Sequence, residues 1–472
     1  MNRAPRTGFV MLAAMLCLRV GLAAEPGAPN PKVPRSVARP AFTAPPSQYH
    51  PLPRADTLLV GATVLDGAGG RIGEGDVLIR EGRIAAVGRH LPQENVRIID
   101  AHGRWVTPGI IDIHTHDGTY LLPQTAAEAS ISDVLEDSDP NVADTWIENA
   151  VRPGDPAFSR ALASGVTTVQ ILPGSGALFG GRSVIVKPIP AVTLDQMRFP
   201  GAPQGLKMAC GANPASNFGS RGRFPNSRQG EIAGIRAAFL DAQRYRSEWD
   251  GYLAGQKADP PKRDLKMDTL VAVLRGEMPV HLHCYRADDI ATWIDTLSEF
   301  GVHLTAVHHA TEAYKISALL AEKHVCAAVW PDWWGFKREA EDGIAENAAF
   351  VDAAGGCAIL HSDIPLLGSL LNVEAAKAAA AGRRAGLAIP PEKAIRWITS
   401  NPAKALALES QIGRIASGMN ADLVLWSGNP FSVYSKADLV FIDGAVAYDR
   451  HGAPAQRLTD FELGRPQKEG AP

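Results

Sequence analysis

Surplus charge of either sign is missing from this chain: its 472 residues carry 47 Lys and Arg against 50 Asp and Glu, a net charge of −3. No basic field exists to draw in a phosphate backbone, so nucleic acid is not an expected partner. Cysteine is scarce, with five in all, which excludes the small disulfide-stapled scaffolds. The apolar run from Phe9 to Leu18 is too short to span a bilayer. Disorder is excluded as well, because 46% hydrophobic and 21% charged residues can bury a substantial core.

What is present begins with an address. Arg3 and Arg6 precede the apolar run, and Gly21, Ala23 and Ala24 follow it, the layout of a secretory signal over residues 1–24. Leu16 before Cys17 does not suit a lipoprotein site, so a secreted or periplasmic protein with no integral membrane domain after cleavage is expected. Residues 25–54 hold Pro26, Pro29, Pro31, Pro34, Pro40, Pro45, Pro46, Pro51 and Pro53, too many lost donors for regular structure, and read as a linker or wrapped arm. Cys210, Cys284, Cys326 and Cys357 lie on or beside apolar strand-like runs. That placement predicts free buried thiols, with room for one bridge at most.

From Thr57 the text turns to short β-rich pieces broken by glycine, TLLVGATVLDG, DVLIREGRIAAVG and VRIIDAHGRWVTPG, and matching pieces, ADLVLWSGNP and DLVFIDGAVAYD, return near the end. The two sets, residues 55–108 and 401–455, are expected to build one small β domain together, leaving 456–472 as a tail. Between them, residues 109–400 alternate strand-like runs with helical stretches. The strands are IIDIHTH, VTTVQIL, SVIVK, GLKMACG, MPVHLHCY, VHLTAVHHA, VCAAVW and CAILHSD, and the clearest helices are SRALASG, EIAGIRAAFLDAQRYRSEW, ADDIATWIDTLSEFG, EAYKISALLAEKH and NVEAAKAAAAGRRAG. Eight such strands predict an α/β protein with a closed (β/α)8, TIM-like barrel, whose chemistry gathers at the carboxyl ends of its strands.

Those ends carry imidazoles. His114 and His116, two apart, project from one face of a strand, with Asp112 on the same parity to orient a ring. Later ends bring His281 and His283, His308 and His309, and Asp363, with His361 two residues before it. Nitrogen and oxygen ligands converging from separate strands are what a catalytic divalent metal needs, and Asp363 is the type of group that both ligates and takes a proton from water.

PGIIDIHTH, the later histidines, HSD and the β-rich flanks together resemble the amidohydrolase superfamily over about Thr57 to Asp449. LPGSGALFGGR, VHHATEAYK, SNPAKALAL and GRIASGMNADLVLW bring the resemblance closer to its imidazolonepropionase-like branch, which includes prolidase-like dipeptidases. The resemblance implies metal-dependent hydrolysis on a distorted (β/α)8 barrel with a small composite β-sandwich made by the N- and C-terminal segments. It implies His114 and His116 as strand-one ligands, His283 on strand five, His309 rather than His308 on strand six, and Asp363 as the strand-eight acid. Lys207 in GLKMACG stands where many relatives carry a carbon-dioxide-capturing lysine that bridges two metals, which implies two zinc ions and a carbamylated Lys207 here; Lys187 in SVIVKP competes for that role. Ala212 stands where relatives tend to have an acid.

The expected reaction is cleavage of a C–N amide bond, in a dipeptide, an N-acyl amino acid or a cyclic amide, by hydroxide held between the two metals. Asp363 carries the proton and Tyr285 polarises the carbonyl. Arg182 in the glycine-rich segment is expected to grip a carboxylate, and Trp330, Trp333 and Trp334 to wall the substrate. A mononuclear deaminase, which would not need Lys207, and a non-catalytic binding barrel are the alternatives. The partner is a small molecule or short peptide, and a homo-oligomer is allowed.

Overall fold

The structure, a computed structural model, describes residues 44–120 and 133–452. The expected signal, most of the proline-rich segment and the C-terminal tail lie outside the described residues. No described helix is long and apolar enough to cross a membrane.

In chain order the strands are β1 (Thr57–Leu65), β2 (Arg71–Arg80), β3 (Arg83–Gly88), β4 (Arg97–Asp100), β5 (Trp105–Pro108), β6 (Ile110–Thr115), β7 (Val166–Ile171), β8 (Phe179–Arg182) and β9 (Val184–Val186). They continue as β10 (Leu206–Ala209), β11 (Val280–Cys284), β12 (Leu304–His309), β13 (Cys326–Val329), β14 (Cys357–Leu360), β15 (Leu423–Trp426), β16 (Ala437–Ile442) and β17 (Ala445–Asp449). One sheet runs β17-β16-β15-β5-β1-β2-β3, with β4 beside β1. N- and C-terminal strands meet in it where β15 pairs antiparallel with β5, Leu423 opposite Pro108 and Trp426 opposite Trp105. Leu59, Val64, Val77, Val106, Leu423 and Phe441 form one buried cluster, so neither segment can bury its apolar face without the other.

The chain passes from this sheet to the central strands through Gly109. A Cβ there would meet Thr167 Oγ1 at 2.0 Å, so the crossover needs glycine. Strands β10 to β14 lie side by side and parallel, almost wholly buried, as strands covered on both faces must be. The expectation of eight parallel strands in one sheet is corrected here. Six strands, β14-β13-β12-β11-β10-β8, form one sheet and β6-β7-β9 another, and both β8 and β9 run antiparallel to their neighbours. The two are halves of one extended segment: β8 pairs β10, β9 pairs β7, and between them Ser183 donates its N–H to Gly205 O at 2.8 Å. At the far side Asp363 N–H donates to His114 O at 2.8 Å, tying the end of β14 to β6.

Helices cover the central strands. Helix α1 (Pro156–Ala163) starts where Asp155 accepts from Ala157 N–H, with proline in its first turn. Helix α2 (Ala212–Gly219) follows β10 directly. In α3 (Arg228–Leu253), capped by Ser227, the buried residues Ile235, Phe239, Ala242, Tyr245, Trp249 and Tyr252 recur at three- and four-residue steps, one apolar stripe against the strands and α4 (Leu265–Leu274). Full burial of a side chain such as Phe239 is worth about 1.5–3 kcal/mol.

The cysteine expectation is overturned. Cys210 is bonded to Cys284 and Cys326 to Cys357. Cys326 and Cys357 are direct register partners of β13 and β14, and Cys210 follows the Ala209–His283 pair of β10 and β11. Their Cα atoms, 4.5 and 5.2 Å apart, lie within bridging range. Cross-strand register, invisible in a linear text, makes the pairs.

Candidate metal centre

The carboxyl ends of β6, β10, β11, β12 and β14 bring the histidines, Lys207 and Asp363 to one place. His114 Nε2 lies 3.2 Å from Asp363 Oδ1 and 3.2 Å from Lys207 Nζ, and His116 Nε2 lies 3.5 Å from the same carboxylate oxygen. Ligand atoms of His114, His116 and Asp363 fall within 4.8 Å of one another, as do those of His114, His309 and His361. His283 joins from β11, its ring centred 4.4 Å from that of His309. His309 and Asp363 both hold positive φ, 70° and 66°, conformations that cost non-glycine residues energy and persist where surrounding structure imposes them.

Burial dominates the electrostatics. It pushes His114, His283 and His309 well below the usual imidazole range, with Lys207 among the added causes, and His361 to about 3. The rings are therefore neutral, the form that ligates. Burial also pulls the Lys207 ammonium down to about 7. At Asp363 burial acts upward, but the hydrogen bond and charge of His116, with His361 and Lys207, outweigh it and hold the carboxyl below its usual value. His116 Nδ1 donates to Leu172 O at 2.8 Å, which turns Nε2 toward Asp363. Both ring nitrogens of His283 and of His361, and Nδ1 of His309, are buried with no hydrogen-bond partner among the described residues.

Several expected residues do other things. Lys187 is far from this chemistry in kind: its Nζ is paired with Asp422 at 3.3 Å and Asp443 at 2.8 Å. Asp112 accepts from the backbone N–H groups of His114 and Ser362, so it joins strand ends and orients no ring. Arg182 is corrected too. It lies opposite Leu206 in the β8–β10 register, on the face away from Lys207, where its guanidinium donates to Thr269 and Gln204 and stacks on Trp146. The glycine-rich segment that carries Arg182 is partly strand β8. Trp334 is 69% exposed and donates to Glu341 O, outside the aromatic stack.

That stack is continuous with the histidines. Trp330 packs on His309 with ring centres 4.3 Å apart, and Trp333 packs on Trp330 at 4.4 Å. Tyr285 stacks on the His309 ring at 5.3 Å and meets His283 edge-on at 4.9 Å, its hydroxyl held protonated chiefly by burial. Sequence reasoning missed Lys337, whose ammonium sits 3.8 Å over the Tyr285 ring and donates to Asn213 in α2 at 2.7 Å. It also missed Glu339, which accepts from Ala212 N–H at 2.7 Å. A carboxylate therefore does stand at the position where Ala212 lacks one, brought by the loop after β13. Gly211, at φ +79°, leaves room for it, since a Cβ would meet Glu339 Oε1 at 2.4 Å. Only the lysine closing WPDWWGFK hinted at either residue.

The amidohydrolase family model matches residues 238–448. Amidohydrolase tasK of Hapsidospora irregularis is 30% identical over 408 residues, covering 79% of this chain but 40% of that protein, so the chain spans well under half of that relative's length. Imidazolonepropionase of Rhizobium meliloti (strain 1021) is 24% identical over 394 residues, 76% of this chain and 86% of the relative. Among solved structures, an amidohydrolase from Thermotoga maritima MSB8 is 35% identical with a TM-score of 0.76, covering 84% of this chain and 100% of that one. A likeness of that extent makes this chain a member of the amidohydrolase family.

Proposed function

We propose that this chain is a metal-dependent hydrolase that cleaves the C–N amide bond of a dipeptide, an N-acyl amino acid or a cyclic amide. The observation that carries the reading is the set of buried, unpartnered imidazole nitrogens of His283, His309 and His361 beside the Asp363 carboxylate. Burying such groups unpaired is costly, and a divalent cation is the partner that neutral imidazoles and a carboxylate fit. His114, His116, His283, His309 and Asp363 would hold it, and His361 offers a further nitrogen beyond the expected set. Lys207, pulled down to about 7 by burial, offers a neutral amine suited to capture carbon dioxide and supply the anion that would let two zinc ions share the site. When bound, such a metal acidifies water and polarises the scissile carbonyl.

The residues of the chain do the rest. Asp363 Oδ1, held as a carboxylate, takes the proton from the attacking water and returns it to the leaving nitrogen. Tyr285 keeps its phenol proton and donates a hydrogen bond to the carbonyl oxygen as charge develops there. Trp330 and Trp333 form the apolar wall for the substrate, and the cation beside it, over the Tyr285 ring, is Lys337 rather than Arg182. In the same reading the two central sheets form one distorted (β/α)8 barrel spanning 109–400, and 55–108 with 401–455 forms the composite β-sandwich. The two disulfides support export to an oxidising compartment.

Metal content and turnover test the reading in one preparation. Protein screened against dipeptides, N-acyl amino acids and cyclic ureas is expected to carry two metals per chain and to release amine from one of these classes. A chain that takes up no divalent metal, or that turns over none of them when loaded, overturns it.

A further inference from the structure

Beneath the cluster, a row of buried side chains leads away from it. His114 Nδ1 lies 3.1 Å from His308 Nδ1, His308 Nε2 lies 3.0 Å from His281 Nδ1, and His281 Nε2 lies 3.3 Å from the side-chain amide of Gln170. That amide lies 3.0 Å from Ser183 Oγ, which also accepts from Gly205 N–H at 2.9 Å. All the side chains in the row are buried.

A neutral imidazole has one donor nitrogen and one acceptor. Each ring-to-ring contact holds a single hydrogen, so choosing the tautomer of one ring fixes every other. Only two directions exist. If Gln170 donates to His281, then His281 donates to His308 and His308 to His114, and the hydrogen of His114 ends on Nε2, 3.2 Å from Asp363 Oδ1. That ring has no lone pair for a cation. If instead His114 donates from Nδ1, the hydrogens point the other way and Nε2 is free to ligate. The row then ends with His281 Nε2–H aimed at Gln170, whose amide must present Oε1. In the opposite placement Gln170 Oε1 is buried without a partner; turned about, it accepts from both His281 and the Ser183 hydroxyl, and the NH2 group takes the unpartnered position. The two ends of an amide are interchangeable in shape.

We propose that His308, His281 and Gln170 are positioning residues for the metal centre: an ordered hydrogen-bond row that holds His114 as its Nδ1–H tautomer, running from His114 to Gln170 when metal is bound. The inference rests on reading the cluster as a metal site. It assigns work to two histidines, His281 and His308, that the ligand set leaves idle.

Chelator competition with Zn2+ on the full chain tests it, together with 15N imidazole spectra of the zinc-loaded protein. His308→Phe breaks the row and is expected to weaken zinc binding about 10- to 100-fold, the usual effect of losing an outer partner of a ligating histidine. His308→Gln accepts from His114 and donates to His281, and is expected to bind within a few-fold of wild type. In the wild-type spectra His281 and His308 should both be Nε2–H tautomers. Unchanged affinity in a folded His308→Phe, or Nδ1–H tautomers for either ring with zinc bound, overturns the row while the metal site stands. Wild-type protein that binds no zinc overturns the metal site and the row with it.

Discussion

At the scale of single residues, the proposed function gives Asp363 and Lys207 roles that no neighbour duplicates. Asp363→Asn keeps the shape and loses the proton acceptor, so kcat is expected to fall about 10²- to 10⁴-fold, with the metal content measured alongside unchanged; near-normal kcat would remove Asp363 from its role. Lys207 gives a test in the metal-free protein. Its folded-state value near 7 is far below that of an unfolded lysine, about 10.4. Between those values the unfolded chain binds a proton that the folded one lacks, so stability rises with pH across the window, with a slope of up to about 1.4 kcal/mol per pH unit. Urea titrations from pH 7 to 10 should show that rise in wild type and its loss in Lys207→Met. The histidines at the ends of separate strands and Asp363 were legible from strand parity, and the family resemblance singled out His283 and His309 among them. The resemblance favoured Lys207 but left Lys187 open, because both are lysines on apolar strands and only packing shows that Lys187 is spent on Asp422 and Asp443.

At the scale of elements, those three charges tie β9 to the C-terminal strands. Lys187 and Asp422 are almost wholly buried, at 1% and 2% side-chain exposure. Removing one partner leaves the others buried and uncompensated, so Lys187→Met is expected to cost about 3–5 kcal/mol, read as a shift of the denaturant midpoint. A change within about 0.5 kcal/mol would show that the pair is not buried as described. The helix α3 stripe and the parallel strands β10 to β14 could be read from apolar periodicity. The segment from Phe179 to Arg182 could not: four glycines in eleven residues spell a loop, yet backbone pairing with β10 makes it a strand and turns Arg182 away from the site. The loop after β13 was read for its tryptophans, whereas docking on α2 gives Lys337 and Glu339 their places.

At the scale of the whole molecule, the two disulfides bind neighbouring strands, Cys210–Cys284 at the carboxyl ends of β10 and β11 and Cys326–Cys357 at the amino ends of β13 and β14. Closing a loop of sequence separation 31, as Cys326–Cys357 does, restricts the unfolded chain by about 4 kcal/mol. Replacing both cysteines by serine is expected to lower stability by about that much, measured by urea unfolding under non-reducing conditions, and no loss would mean that the bridge is absent in solution. The sequence by itself determined the α/β class, the joining of N- and C-terminal strands in one sheet and the residue types of a metal centre, because apolar periodicity and strand parity are local properties. Tertiary structure decided which cysteines pair, which lysine joins the histidines, which way Arg182 faces and how His281 and His308 line up beneath His114. Those outcomes depend on register between strands distant in the chain, and no local pattern encodes a register.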